Sequence, residues 1–513
     1  MFLRVSPPGH SQTSETGLID RLLHAALVAL LALLMFVGAQ SSAFAQTTVD
    51  QTLPDLGEPA NVALSPAHAA AIARQIVGEM YQANYIVTDP ELTSYINSIG
   101  WKLAYHGSAE PPAFHFYPIA DNGINAFALP GATIGVNVGT LVAAQDESEL
   151  AAVMAHEEAH VTQNHIARQA NQSPIASIAT WAAIIAAMIA SSGNPNVVMG
   201  GLMAGQSINA QRDINYTRGH EMEADRVGIR TLAAAGYDPM AMADFFGRLQ
   251  QQTRLYGSVP QLLLDHPVNT TRIAEATERA QQYPKITPAY SIRFHLLRAR
   301  GRVLETDLPT DALKYFSDEL ASGHATPGTH YGYAMSLHRL GKDAEAWTAL
   351  RPLLKGWPNQ PNVLLLESRI LAGQGKLDEA LEIDREMLTS QPSYAPAILR
   401  YATDLIAHDQ PELARAVLLD HHPAYAIDPH SYELLAKAAS ESGNTGEAAF
   451  QMASYFEARA DPFGALDQLN AGLRLKKLSP NNRARLRARR EQLVARLPAN
   501  LVRQHERRTG GPG

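Results

Sequence analysis

His156-Glu157-Glu158-Ala159-His160 is the stretch on which the reading of this chain turns. On an α-helix, residues four apart lie about 40° from each other around the axis, so the two imidazoles face one side and can grip one zinc ion. Glu157 falls beside that pair but off its face, where a carboxylate can take a proton from an attacking water. The stretch therefore reads first as the centre of a metallopeptidase. Its flanks agree. Glu149 to Ala155 before it, and Val161, Ile166 and Ala167 after it, make a mostly apolar helix without Pro or Gly. Two His and two Glu would be costly to bury there without a charge to bind.

A third ligand has to come from elsewhere. His165 lies nine residues after His156, which on a continuous helix rotates it about 180° away, so it is not expected to bind the metal. In Arg218-Gly219-His220-Glu221-Met222-Glu223-Ala224-Asp225, Glu221 and Asp225 share a helical face. Glu221 would close a His-His-Glu site with one position open, and Asp225 would accept a ring N–H from a ligand histidine. Glu223 and His220 lie within the same turn and compete for the ligand role. Glu223 also reads as part of a solvated acidic face, and His220 as a donor to an oxyanion.

HEEAH, with TRGHEMEAD about 65 residues further on, resembles the HtpX-type branch of HEXXH zinc metallopeptidases, whose second motif is ExxxD with the Glu on the metal. Asn125-Ala126-Phe127-Ala128-Leu129-Pro130-Gly131, followed by Thr133 to Val136, resembles the family's active-site edge strand, and departs from it at Ala132, where relatives often carry a second Gly. The match covers roughly residues 70 to 285. It implies a mainly α, zincin-like domain with a small active-site β-sheet. One zinc would be held by His156, His160 and Glu221, with Glu157 as base and Asp225 in support. His266, in Leu264-Asp265-His266-Pro267 and followed by Asn269 and Arg272, resembles the family's HP element. It either donates to the oxyanion, or sits on the open zinc position and keeps the enzyme latent, or is a plain loop histidine. Substrate would lie as an extended strand against Phe127 to Val136, which suits unfolded chains.

Composition sets the frame around this site. A chain of 513 residues with 46% hydrophobic content is ordinary globular protein with room for two or three domains, which excludes fibrous and disordered classes. Cysteine is absent, so disulfides and Cys-held zinc are ruled out and the compartment must be read from targeting. Leu22 to Val37 form an apolar core after Arg21, broken by His24, and Ala43-Phe44-Ala45 supplies a small-residue cleavage pattern. Residues 1–45 are expected to be a secretory signal leading to the periplasm. An uncleaved anchor is the other reading, since Glu15 and Asp20 offset Arg4 and Arg21. The run Ile175 to Ala190 spans 16 residues, short for a membrane crossing. With Val197 to Ala204 it reads as a helical hairpin that packs on the protease, covers its cleft or dips into a membrane surface.

Beyond about residue 285 a 34-residue period appears in Ala312, Ala346, Ala380, Ala414 and Ala448, with Gly341, Gly375, Asp409 and Gly443 marking a turn at the same step. Ala334, Ser368, Ala402 and Ala436 recur where paired helices must approach closely, and Pro358 and Pro392 close units. This is the tetratricopeptide (TPR) signature, an α-solenoid that binds protein segments. Tyr333, His338, Arg369 and Tyr401 are candidates to line its groove, with a core position equally open to either tyrosine, and Phe463-Gly464-Ala465-Leu466 opens a capping pair. Between Arg474 and Arg508 stand twelve Arg or Lys against two Glu, and taking that net +10 from the chain's −8 leaves −18 elsewhere. Much of the tract reads as a solvated helix face beside a Leu486, Leu493 and Leu497 stripe, with contact to the acidic body or to anionic lipid as alternatives. No nucleic-acid partner is expected.

The expected organisation is a signal peptide over 1–45, a zinc metallopeptidase domain over 46–285, TPR repeats over 286–475 and a basic helical tail over 476–513. A protease of this type joined to such repeats resembles periplasmic proteases of outer-membrane assembly, and that resemblance implies quality control of unfolded or misassembled outer-membrane proteins, with the repeats docking on the assembly machinery or on a stalled barrel. The competing reading is a TPR chaperone or adaptor whose zinc site is latent or vestigial.

Overall fold

The computed structural model describes residues 64–170, 210–256, 259–287, 289–422 and 428–509. The expected signal segment and the apolar run over 175–204 lie outside them. Among the described residues no helix is long and apolar enough to cross a membrane.

Two helices open the fold, α1 (Pro66–Gln82) and α2 (Pro90–Gly107). Each starts with Pro in its first turn behind a side-chain cap, Ser65 accepting from the His68 N–H and Asp89 from the Leu92 N–H. Strands β1 (His115–Ile119), β2 (Ala126–Leu129) and β3 (Thr133–Asn137) form one sheet in the order β1-β3-β2. β3 pairs parallel with β1 and antiparallel with β2. Only β2 of the expected substrate-binding stretch is therefore at an edge, because β3 has a strand on both sides. Phe127 lies opposite Gly135, where an added Cβ would come within 2.4 Å of its ring. Pro130, Gly131 and Ala132 link the two strands, and both Gly131 and Ala132 take positive φ, 73° and 54°. The alanine thus adopts the left-handed conformation that glycine would adopt at lower cost.

After the short α3 (Val138–Ala143), helix α4 (Glu147–Thr162) carries the HExxH motif. Asp146 caps it, and all residues from Ser148 to Ala159 are buried, so α4 is a central helix and not an amphipathic surface one. It packs against α2, β2, α6 (Ala210–Ala234) and α7 (Ala241–Tyr256). The expected uninterrupted helix through Ala167 is not found. It stops at Thr162, Asn164 takes φ 54°, and a separate short helix, α5 (His165–Ala170), follows. Asn is the non-glycine residue best suited to that left-handed position, so a helix without Pro or Gly can still end there. Two further helices, α8 (Gln261–Asp265) and α9 (Thr270–Ala280), complete this part.

The rest is helix pairs. Helix α10 (Ile292–Glu305) leads to α11 (Pro309–Ala321), and then come α12 (Pro327–Arg339) and α13 (Asp343–Gly356), α14 (Pro361–Gly373) and α15 (Leu377–Ser390), α16 (Ala395–Ala407) and α17 (Pro411–Asp420), and α18 (Pro429–Glu441) and α19 (Thr445–Ala458). The turn positions Gly341, Gly375, Asp409 and Gly443 all have positive φ, which explains three glycines and an aspartate at one step of the repeat. Ala312, Ala346, Ala380 and Ala414 are buried, as are Ala334, Ser368, Ala402 and Ala436. Phe294 and Leu297 of α10 belong to the same core as α2, α4 and α7, so this helix is built into the sheet-bearing part of the fold. After α20 (Pro462–Leu473), the basic helices α21 (Pro480–Arg496) and α22 (Ala499–Thr509) bury Leu486, Leu493 and Val502 against the preceding helices.

A buried ionic joint holds the repeats to α2. Arg300 of α10 donates to both oxygens of Asp89, at 2.8 and 2.6 Å, and lies 3.0 Å from Glu91. Glu91, fully buried, also accepts from Arg369 and Asn362 of α14, each at 2.6 Å. Arg369, one of the residues expected to line the groove, is thereby engaged in this joint. The other three groove candidates are also engaged internally: His338 pairs with Asp343, and Tyr333 and Tyr401 pack against apolar clusters.

Candidate active site

His156 and His160 project from α4, Glu221 and Asp225 from α6, and His266 from the turn after α8. That turn is tied to the edge strand, because the Leu262 N–H donates to Ile124 O at 3.0 Å and the Asn125 amide donates to Asp265 at 2.9 Å. One ligand atom from each of His156, His160, Glu221 and His266 lies within 4.8 Å of all the others. His156 Nε2 is 3.0 Å from His160 Nε2, 3.4 Å from Glu221 Oε2 and 3.3 Å from His266 Nδ1. His160 Nε2 is 3.6 Å from Glu221 Oε1, and His266 Nδ1 is 3.1 Å from the same oxygen.

These five separations, 3.0–3.6 Å, are close to those of donors sharing one small cation. Ligand bonds of about 2.0–2.1 Å, as zinc makes, imply tetrahedral edges of about 3.3–3.4 Å. Converging lone pairs of three imidazoles and a carboxylate repel one another without positive charge between them, so the donor set fits a divalent metal. Zinc is the typical ion for such N and O donors.

Each supporting contact sets a protonation state. His156 Nδ1 lies 3.0 Å from Asp225, whose carboxylate is clamped by Arg272 Nε and Nη2 at 2.7 and 2.8 Å. Arg272 also donates to Glu221 Oε2 at 2.9 Å and to the Pro267 carbonyl at 3.0 Å, so one buried guanidinium orders the ligand carboxylate, its neighbour and the His266 turn. The capping Asn269 starts α9 and so fixes where Arg272 emerges. Burial would raise the Glu221 carboxyl, but the His266 and His156 rings hold it well below the ordinary range, as a ligand needs. Burial, assisted by His156 and His266, keeps His160 neutral by pushing it well down. Burial lowers His156 too, but the Asp225 and Glu221 carboxylates outweigh that and raise it, which marks the same negative potential that draws a cation.

Glu157 is 1% exposed, and burial raises its carboxyl above the usual value, giving a stronger base than a surface glutamate. Its Oε1 has no hydrogen-bond partner among the described residues and lies 3.4 Å from His266 Nε2. It is not one of the four clustered groups. The remaining candidates lie apart. The His220 ring stacks on His165 at 4.2 Å and 7°, and Glu223, partly exposed, contacts His165 and Arg168 and is not among the clustered donors. Arg272 is a functional residue that no motif in the sequence marks. The signal available for it was an arginine one turn into a helix capped by Asn269, close behind His266.

Comparison with known proteins agrees with this geometry. Residues 90–280 match the model of peptidase family M48. The chain is 32% identical over 480 residues, 91% of its length and 96% of the other, to the beta-barrel assembly-enhancing protease of Escherichia coli (strain K12). It is 33% identical over 399 residues to the protein of that name from Yersinia pestis, covering 76% of this chain and 81% of that one. The mitochondrial metalloendopeptidase OMA1 of Schizosaccharomyces pombe is 26% identical over 186 residues, 36% of this chain and 52% of that protein. With a relative this similar along nearly its whole length, and with the motif residues gathered at one centre, the chain belongs to peptidase family M48 and is a metalloprotease.

Proposed function

We propose that this protein is a zinc endopeptidase of the periplasm that cuts unfolded or misassembled polypeptides during outer-membrane protein assembly. In this reading residues 1–45 are its export signal, and the tetratricopeptide pairs hold the client or the assembly machinery. The observation that carries the chemistry is the four-donor cluster with Glu157 beside it. The context is supported by the end-to-end similarity to beta-barrel assembly-enhancing proteases. His156, His160 and Glu221 would hold the zinc, and Asp225 and Arg272 keep two of these ligands in place. When bound, zinc supplies Lewis-acid polarisation of the scissile carbonyl. Glu157 takes the proton of the attacking water and passes it to the leaving amide nitrogen, with no acyl-enzyme. The outer edge of β2, which pairs with no further strand among the described residues, would offer backbone hydrogen bonds to an extended client.

Elemental analysis of the mature protein is expected to find stoichiometric zinc, and Glu221→Ala to lose it. Chelation should stop casein cleavage, and zinc should restore it. Absence of metal from the wild type would overturn the proposal.

His266 occupies the fourth corner of the cluster, which favours latency over an oxyanion role. A minor open state is commonly populated at about 0.1–10%, so freeing that corner by His266→Ala should raise basal casein cleavage by about tenfold or more. A fall in rate would assign His266 to the oxyanion instead. This placement also gives the chaperone reading its form, a repeat protein that acts mainly with its protease shut.

A further inference from the structure

The two motif histidines are supported in different ways. His156 has its Nδ1 directly on Asp225. Among the described residues His160 has no carboxylate on its Nδ1, which meets His165 Nδ1 at 3.0 Å, while the far nitrogen of His165 meets Glu223 Oε2 at 3.2 Å. Glu223 also accepts from Arg168 Nη2 at 2.8 Å. His165 is 3% exposed, and the His220 ring lies parallel against its face. The arrangement exists because the chain turns at Asn164, which brings the residue after the turn back onto the helix it has left.

We infer that His165 is a positioning residue for the metal centre, the middle member of a His160–His165–Glu223 relay that fixes the ring orientation and tautomer of His160. The inference rests on the metal-site reading above and goes beyond it. One proton arrangement satisfies every distance. His160 Nε2 faces the other three donors, so its lone pair must be free there and its proton must sit on Nδ1. That N–H donates to His165 Nδ1, which leaves the His165 proton on Nε2, where it donates to Glu223. Reversing the chain would put a hydrogen on His160 Nε2, pointing at the other ligands. An imidazole is suited to this middle place because it accepts on one nitrogen and donates on the other. The carboxylate end and the Arg168 charge keep the relay polarised in the required sense.

Loss of such outer contacts typically costs about 10–100-fold in metal affinity. The test is zinc affinity by competition with a chromophoric chelator, together with the visible spectrum of the cobalt-substituted protein. His165→Ala is expected to weaken zinc binding within that range and to shift the cobalt bands. His165→Asn, whose side-chain oxygen can stand in for Nδ1 as acceptor from His160, should recover most of the affinity. Glu223→Gln should give a smaller loss than His165→Ala. Thermal unfolding of each variant after metal removal separates positioning from folding, and should be close to that of the stripped wild type. If wild type binds zinc and His165→Ala binds it equally well with an unchanged spectrum, the relay is wrong while the metal centre stands. The relay is also wrong if Asn rescues nothing and the stripped variants unfold early. If wild type binds no zinc, the metal-site reading fails first.

Discussion

Glu157→Gln is expected to lower cleavage of unfolded casein by about 10²–10⁴-fold, the usual worth of a positioned general base. Glutamine matches the shape of glutamate but cannot accept the proton that the attacking water must lose. The substitution should leave metal content unchanged, because Glu157 is not among the four clustered donors. It should also leave stability unchanged or improved. The carboxyl is buried, and one of its oxygens lacks a hydrogen-bond partner, so losing its charge relieves a desolvation cost. The combination is diagnostic: full zinc, intact fold and no activity. A variant that degrades casein as fast as wild type would refute the hydrolytic mechanism, whatever its metal content.

Arg300→Met should destabilise the junction between repeats and protease by about 3–5 kcal/mol, the range for removing one partner of a buried ionic cluster. The methionine fills much of the space but leaves Asp89 and Glu91 together in a buried interface, with Arg369 the remaining cation paired there among the described residues. Chemical denaturation followed by tryptophan fluorescence would register the loss, and limited proteolysis would register release of the repeats. The pH dependence supplies a second check. Burial would raise the Asp89 carboxyl, but Arg300 outweighs it and holds the folded-state value below the ordinary one. The stability this contributes is fully present above the unfolded carboxylate pKa of about 3.9 and is lost as pH falls through the lower folded value. In the variant the sign reverses, since protonation removes an unpaired buried charge. The gap between variant and wild type should therefore narrow below about pH 4. A gap that is small at neutral pH, or that widens in acid, would show the joint to be unimportant.

The parts of this protein legible in its sequence are those governed by local geometry. Four-residue spacing places His156 and His160 on one side of a helix in any fold, and the same spacing sets Glu221 and Asp225. The repeats were legible for a related reason: each pair contacts only its neighbours, so the small residues and left-handed turns must recur at every step. His165 shows where this reasoning stops. Helical phase extrapolated past Asn164 sends the ring away from the metal, whereas a single residue at positive φ brings it to 3.0 Å from His160. His165 stays outside the four-donor cluster, as helical phase led one to expect, but its contact with His160 and the partner that Glu223 finds on another helix are not legible from phase.

By itself, then, the order of residues determined that a helix would present two imidazoles with a carboxylate beside them, that a later helix would carry two more carboxylates in phase, and that a 34-residue stack would follow. Tertiary structure alone decided what faces these groups. His266 reaches the fourth corner across 110 residues of chain from His156, Arg272 joins Asp225 to Glu221 from a third helix, and Arg300 and Arg369 meet α2 across 211 and 278 residues. No periodicity encodes such distant pairings. They follow from the cost of taking a charge out of water, which Arg272, Arg300 and Arg369 offset by finding opposite charges once the helices have packed.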